Sequence, residues 1–134
     1  ADGTQAYAEG PFVKGASTIY CDGLGTIAIL VLEQNPCWDD CVREHEGVHR
    51  VDALRSNPTV CSNQPAGTQV YVGSMADTYK SEVRAYSKEL DCLRKKLAAL
   101  KSCDQCRKAI EERITREEDM RVRHEYWLKK NFYE

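Results

Sequence analysis

Between positions 35 and 58 the chain reads NPCWDDCVREHEGVHRVDALRSNP, and the residue pattern differs in kind on the two sides of this segment. Pro36 stands where the start of a helix tolerates proline, and Asp39 and Asp40 follow where first-turn carboxylates complement the helix dipole. These signals predict a helix from about Trp38 to Arg55, closed by Ser56, Asn57 and Pro58. Val48, Val51 and Leu54 recur at threes and are expected on its buried side. The same helix carries His45, Glu46 and His49 in an HExxH spacing.

Residues four apart on a helix share a face, so the imidazoles of His45 and His49 can point at one metal ion while Glu46 lies beside them. This is the arrangement of zinc peptidases, in which the metal lowers the pKa of a bound water to about 7 and polarises the scissile carbonyl. Glu46 is then the general base. Chance produces the spacing in roughly half a percent of shuffled sequences of this composition. The competing reading is a pair of solvated histidines among Arg43, Glu44 and Arg50.

A catalytic zinc needs a third protein ligand. The longer HExxHxxGxxH pattern is excluded, because Asp52 occupies its glycine position and Arg55 its third histidine position. Cys41 shares a face with both histidines, but three consecutive turns of one helix leave a metal without a fourth side. Glu82 is the favoured ligand: it sits beside Tyr79, Val83 and Tyr86, where an ionised carboxylate needs a positive partner. Glu89 is its competitor. Asp52, one turn past His49, either orients that histidine or is a solvated carboxylate. Tyr86 and His124 are the candidates for stabilising a developing oxyanion, against the plainer readings of a core tyrosine and a surface histidine. Trp38 and Trp127 read as packing residues.

Outward from this segment, STIYCDGLGTIAILVLE at 17–33 offers two extended runs around an Asp22-Gly23 turn, which predicts a hairpin or small sheet. Residues 1–16 read as a loose lead-in. NPTVCSNQPAGTQVYVG at 57–73 is punctuated by Pro, Gly and Asn and reads as a long loop. A second helix is expected from about Ser74 to Leu100, on a stripe that includes Leu90, Leu93 and Leu97. A third, from about Asp104 to Lys130, carries Ile110, Ile114, Val122 and Trp127 and completes an antiparallel helical hairpin. The fold class expected is α+β, mainly α, in one domain covering 1–134.

Charge is nearly balanced, 19 Lys plus Arg against 21 Asp plus Glu, so no strong field draws the chain to nucleic acid. The longest apolar run, IAILVL at 27–32, is far short of the roughly 20 residues of a membrane span. The chain begins ADGTQAY, without an initiator methionine or export signal, and reads as a piece of something longer. Seven cysteines favour disulfides over a zinc cluster, because Cys37 and Cys41 are spaced CxxxC and only Cys103 and Cys106 make a CxxC. Disulfides imply an oxidising compartment. One bridge is expected between the motif helix, at Cys41, and the loop holding Cys61, and another between Cys92 and the Cys103/Cys106 pair.

With CVREHEGVH, SEVRAYSKELDCL and the CxxC in view, residues 37–106 resemble the zincin-type metallopeptidase domains at the C-termini of bacterial polymorphic toxins, including Rhs-repeat and type VI secretion effectors. The resemblance implies zinc held by His45, His49 and Glu82, with Glu46 as base. It implies a peptide or protein substrate, a cognate immunity protein as partner, and delivery into the periplasm of a target cell. The 33-residue gap from His49 to Glu82 resembles that of gluzincins, although their NExxSD signature is absent. Two alternatives stand beside it. One is a disulfide-stapled, non-enzymatic binding module with incidental histidines; the other is a structural zinc site with four protein ligands.

Overall fold

A computed structural model describes residues 5–11, 16–32, 35–101 and 104–132. The chain is α+β and mainly helical, in the order β1 (Tyr7–Pro11), β2 (Thr18–Cys21), β3 (Ile27–Leu30), α1 (Asp39–Ser56), β4 (Thr68–Tyr71), α2 (Met75–Ala99) and α3 (Cys106–Phe132). No helix among the described residues is long and apolar enough to cross a membrane.

The expected hairpin is β2–β3, paired from Thr18 opposite Leu30 to Cys21 opposite Ile27. Asp22 shapes its turn by accepting the backbone N–H groups of Leu24 and Thr26 at 2.7 and 3.1 Å. Gly23 sits there at φ 85°, where a β-carbon would crowd Ala66.

Two segments read as irregular prove to be strands. The supposed long loop contains β4, an inner strand of an antiparallel sheet ordered β1-β4-β2-β3, and the supposed lead-in contains β1. Thr68-Gln69-Val70-Tyr71 does alternate, with Thr68 and Val70 buried, but four residues between turn signals carry little periodicity. β1 is held by partners far away in sequence. Tyr7 stacks on Tyr71, the Ala6 N–H donates to Ser56 Oγ at 2.7 Å, and Asn57 Nδ2 donates to the Ala6 carbonyl at 2.9 Å.

The apolar interior falls into two clusters. One lies between the sheet and the end of α1, around Ile19, Ile27, Val60 and Val70, with Ala53. The other joins the helices through Trp38, Val42, Leu93 and Ile110. α2 starts on a capping box, with Ser74 Oγ accepting from the Asp77 N–H and Asp77 accepting from the Ser74 N–H. α2 packs against both α1 and α3, which gives the expected helical hairpin. Val122, expected on the packed stripe of α3, is 57% exposed.

Three disulfides connect these parts, and their pairing differs from the expected one. Cys61 bonds Cys21 on β2 instead of the motif helix; Cys41 bonds Cys92, joining α1 to α2; Cys37 bonds Cys106, joining the approach to α1 to the start of α3. Cys103 lies outside the described residues. The expected pairing failed because it took 57–67 to be a neighbour of α1, whereas the strand after it draws that segment to β2, where the Gly67 N–H donates to the Cys21 carbonyl at 2.8 Å.

α1 also turns a different face inward. Cys41, Val42, His45, Glu46 and Ala53 are its buried residues, while Val51 and Leu54 are exposed at 52% and 39%. The helix is rotated by what it bonds to on α2: the Cys41–Cys92 disulfide and a ladder of polar contacts outweigh the burial of a few aliphatic side chains.

Candidate metal centre

α1 and α2 run antiparallel, so one turn of α1 faces one turn of α2 along their length. His45 and His49 project from α1 toward Ser81, Glu82 and Glu89 of α2. The His45 Nε2 lies 3.0 Å and the His49 Nε2 2.5 Å from the same Glu82 oxygen, Oε1. These are not solvated histidines: His45 is 6% exposed, and the side chain of His49 is 12% exposed.

The other nitrogen of each ring is fixed from outside. His45 Nδ1 lies 2.9 Å from Glu89 Oε1, and a carboxylate oxygen accepts, so this nitrogen carries the proton. His49 Nδ1 lies 2.7 Å from Ser81 Oγ. The Ser81 hydroxyl donates to Asp52 Oδ2 at 2.6 Å, so it accepts from His49 Nδ1–H. Asp52 is held in turn by Arg84 Nη2 at 2.7 Å. In their neutral forms both histidines therefore aim an Nε2 lone pair at a carboxylate oxygen. Both Nε2 atoms thus converge on one carboxylate oxygen, and a cation, proton or metal, is needed to offset the opposed lone pairs.

In the bare protein the cation is a proton. Burial works against a charged His45, but the hydrogen bonds to Glu82 and Glu89 outweigh it and push its pKa up to about 10. Burial would likewise raise the Glu82 carboxyl, and the two imidazoles hold it far below the usual carboxylate range. Glu89 is completely buried; hydrogen bonds from His45 and from Arg113 Nε, at 2.8 Å, overcome that burial and keep it low.

The same donor set suits a metal. Two imidazole nitrogens and a carboxylate oxygen are the ligand types of a three-protein-ligand zinc site, and each Nδ1–H already has the outer partner that orients a ligating histidine. His45, Glu46 and His49 offer donor atoms within 4.8 Å of one another. Glu82 lies on the Nε2 side of the two rings and Glu89 on the Nδ1 side of His45, where Glu89 and Glu117 form with His45 a second group able to share a cation. Asp52 reaches His49 only through Ser81. The Asp40, Cys41 and Cys92 group is closed to metal by the disulfide.

Glu46 is 7% exposed, with Oε2 3.8 Å from His45 Nε2; burial raises its pKa while His49 and His45 pull it down. It stands between two clefts that share Ser17, Glu46 and Glu82. The larger, about 230 Å³, runs toward α3 and is walled by Trp38, Tyr86, Arg113 and Glu117. The smaller, about 190 Å³, runs toward the sheet past Thr18, Gln69, Tyr71 and Thr78. Tyr86 packs edge-on against His45, ring centroids 4.6 Å apart, and burial raises its phenol so that it stays protonated. His124 is behind it: it packs on Tyr79 and Tyr86, donates from Nδ1 to the Met120 carbonyl at 2.7 Å, and lines neither cleft.

Arg113 and Glu117 on α3 were not foreseen. Arg113 stacks over the Trp38 ring at 4.5 Å and pairs with both Glu89 and Glu117. Glu117 is 2% exposed; burial and the neighbouring Glu89 push its pKa up to about 7. In sequence, these two residues are one i,i+4 pair in a helix full of such pairs, with nothing to mark them as buried. Ser81 likewise had only its position beside Glu82.

In comparisons with protein-family models, curated proteins and solved structures, the chain matches none of them.

Proposed function

We propose that this chain is a zinc-dependent metallopeptidase domain that hydrolyses peptide bonds. The observation that carries the reading is the convergence of His45 Nε2 and His49 Nε2 on Glu82 Oε1, with both Nδ1 atoms occupied from outside. His45, His49 and Glu82 would hold the metal, and Glu89 and the Ser81–Asp52 pair would orient the two rings. Zinc bound there supplies an acidified water and a polarised carbonyl. Glu46, beside the donor atoms and raised by burial, takes the water's proton and passes it to the leaving amine. Tyr86, kept protonated, is positioned on the cleft wall to donate to the developing oxyanion. The two clefts meeting at Glu46 leave room for chain on both sides of the scissile bond, which favours a peptide or protein substrate.

The setting is part of the same proposal. Three disulfides within the described residues fit an oxidising compartment. Together with the likeness of the HExxH and downstream segments to toxin metallopeptidase domains, they support an antibacterial effector acting in a target-cell periplasm and neutralised by a cognate immunity protein. The test is bound metal and hydrolysis of a broad peptide panel, with Glu46→Gln beside the wild type. Stoichiometric zinc in both proteins and hydrolysis only in the wild type is the expected result. Absence of zinc from freshly purified wild-type protein overturns the reading.

A further inference from the structure

Each histidine ring is oriented by a path that ends on a guanidinium, but the two paths run differently. On the His49 side, the path through Ser81 Oγ to Asp52 returns to α1, and the Arg84 side chain that closes it is 56% exposed. On the His45 side, Nδ1 donates to Glu89 Oε1 on α2, and Arg113 Nε on α3 donates to Glu89 Oε2 at 2.8 Å. This second path is shielded throughout, with the Arg113 side chain only 11% exposed. An exposed ion pair is loosened by water and salt, whereas removing one member of a buried pair strands the other charge.

Arg113 is fixed in turn. Its guanidinium lies over the Trp38 ring at 4.5 Å, and its Nε is 3.3 Å from Glu117 Oε1, so it is the cation that Glu89 and Glu117 share. Trp38 follows Cys37 in sequence, and the Cys37–Cys106 disulfide ties that segment to the start of α3, two turns before Arg113. The contacts close a ring through three helices: His45 of α1, Glu89 of α2, Arg113 of α3, and Trp38 at the N-terminus of α1. A glutamate side chain has much rotational freedom to lose. Held at one oxygen, the Glu89 carboxylate could swing with the imidazole it orients; held at both, its plane is set.

We infer that Arg113 is a positioning residue of the metal centre. From a helix that supplies none of the proposed ligands, it fixes Glu89, and through Glu89 the direction in which His45 Nε2 points. The inference rests on the proposed metal at His45, His49 and Glu82. It gives α3 a part in the site beyond walling the larger cleft, and it makes the two rings unequal: the His45 arm is anchored in the interior and the His49 arm at the surface.

The test compares variants of the full chain in two ways: zinc affinity from competition with a chelator, and visible absorption of the cobalt(II)-loaded protein, which reports ligand geometry. Arg113→Met should lower zinc affinity by about 10- to 100-fold and shift the cobalt bands at saturating metal. Arg84→Met, at the exposed end of the other path, should lower the affinity less. A merely structural Arg113 would act by neutralising Glu117, so Arg113→Met/Glu117→Gln separates the roles: it removes that stranded charge and should still show both metal defects. Wild-type affinity and cobalt bands in Arg113→Met, a larger loss from Arg84→Met, or recovery in the double variant overturns the inference while leaving the metal reading standing. A wild type that binds neither zinc nor cobalt overturns both.

Discussion

At the residue scale, the two nitrogens of each histidine divide the labour: Nε2 faces the site, and Nδ1 sets its orientation. This division makes separable predictions. Glu46→Gln keeps the shape of the side chain and removes its basicity, so zinc content should be unchanged while turnover falls by about 10²- to 10⁴-fold. Ser81→Ala cuts the link from Asp52 to His49 without touching a proposed ligand, and zinc affinity should fall by about 10- to 100-fold, read from competition with a chelator of known affinity. Protons compete for the same atoms. His45 in the bare protein holds its proton up to about pH 10, so zinc affinity should rise by about tenfold per pH unit from neutrality and level off near that value. The stability of the chelator-treated protein should run the other way. A pKa raised from 6.5 to about 10 contributes stability that is complete below 6.5 and is lost as pH climbs through about 10, which urea titrations at a series of pH values would read.

At the scale of elements, what was legible in the sequence follows from how local each cause is. Helices α1, α2 and α3 were placed within two residues at each end, because caps, proline and three-to-four periodicity act within a turn or two. The hairpin β2–β3 was equally local. β1 and β4 were missed because each is a strand only by virtue of its partner: Ala8 lies opposite Val70, and Tyr20 opposite Gln69, across more than forty residues. The inward face of α1 was misjudged for a related reason. Aliphatic periodicity predicts burial only when no stronger contact sets the rotation, and here a disulfide and the His45–Glu89 bond do. The spacing of His45, Glu46 and His49 and the position of Glu82 were readable, whereas Ser81, Arg113 and Glu117 act through tertiary neighbours that no spacing reveals. The Cys41–Cys92 bridge closes a loop of 51 residues, and replacing both cysteines with serine should cost about 2–4 kcal/mol of unfolding free energy in denaturant titrations. It should also weaken zinc binding, since the bridge lies one turn of α1 before His45.

Across the whole molecule, the disulfides and the proposed metal hold the same elements together. α1 is tied to α2 by the Cys41–Cys92 bond at one end and by the ligand set in the middle, and the approach to α1 is tied to α3 by Cys37–Cys106. Zinc that binds the folded chain and not the unfolded one adds to stability by mass action, so chelation should lower the melting temperature and added zinc restore it. A reducing compartment works against these bridges, so the proposed activity should persist only where they stay oxidised. The measurement that bears most directly on the proposed function is anomalous X-ray scattering at the zinc edge from a crystal of freshly purified protein. The account predicts one strong peak bounded by His45 Nε2, His49 Nε2 and Glu82, with Glu46 beside it and a fourth position open. Absence of a peak there, or a zinc enclosed by four protein ligands, would contradict it.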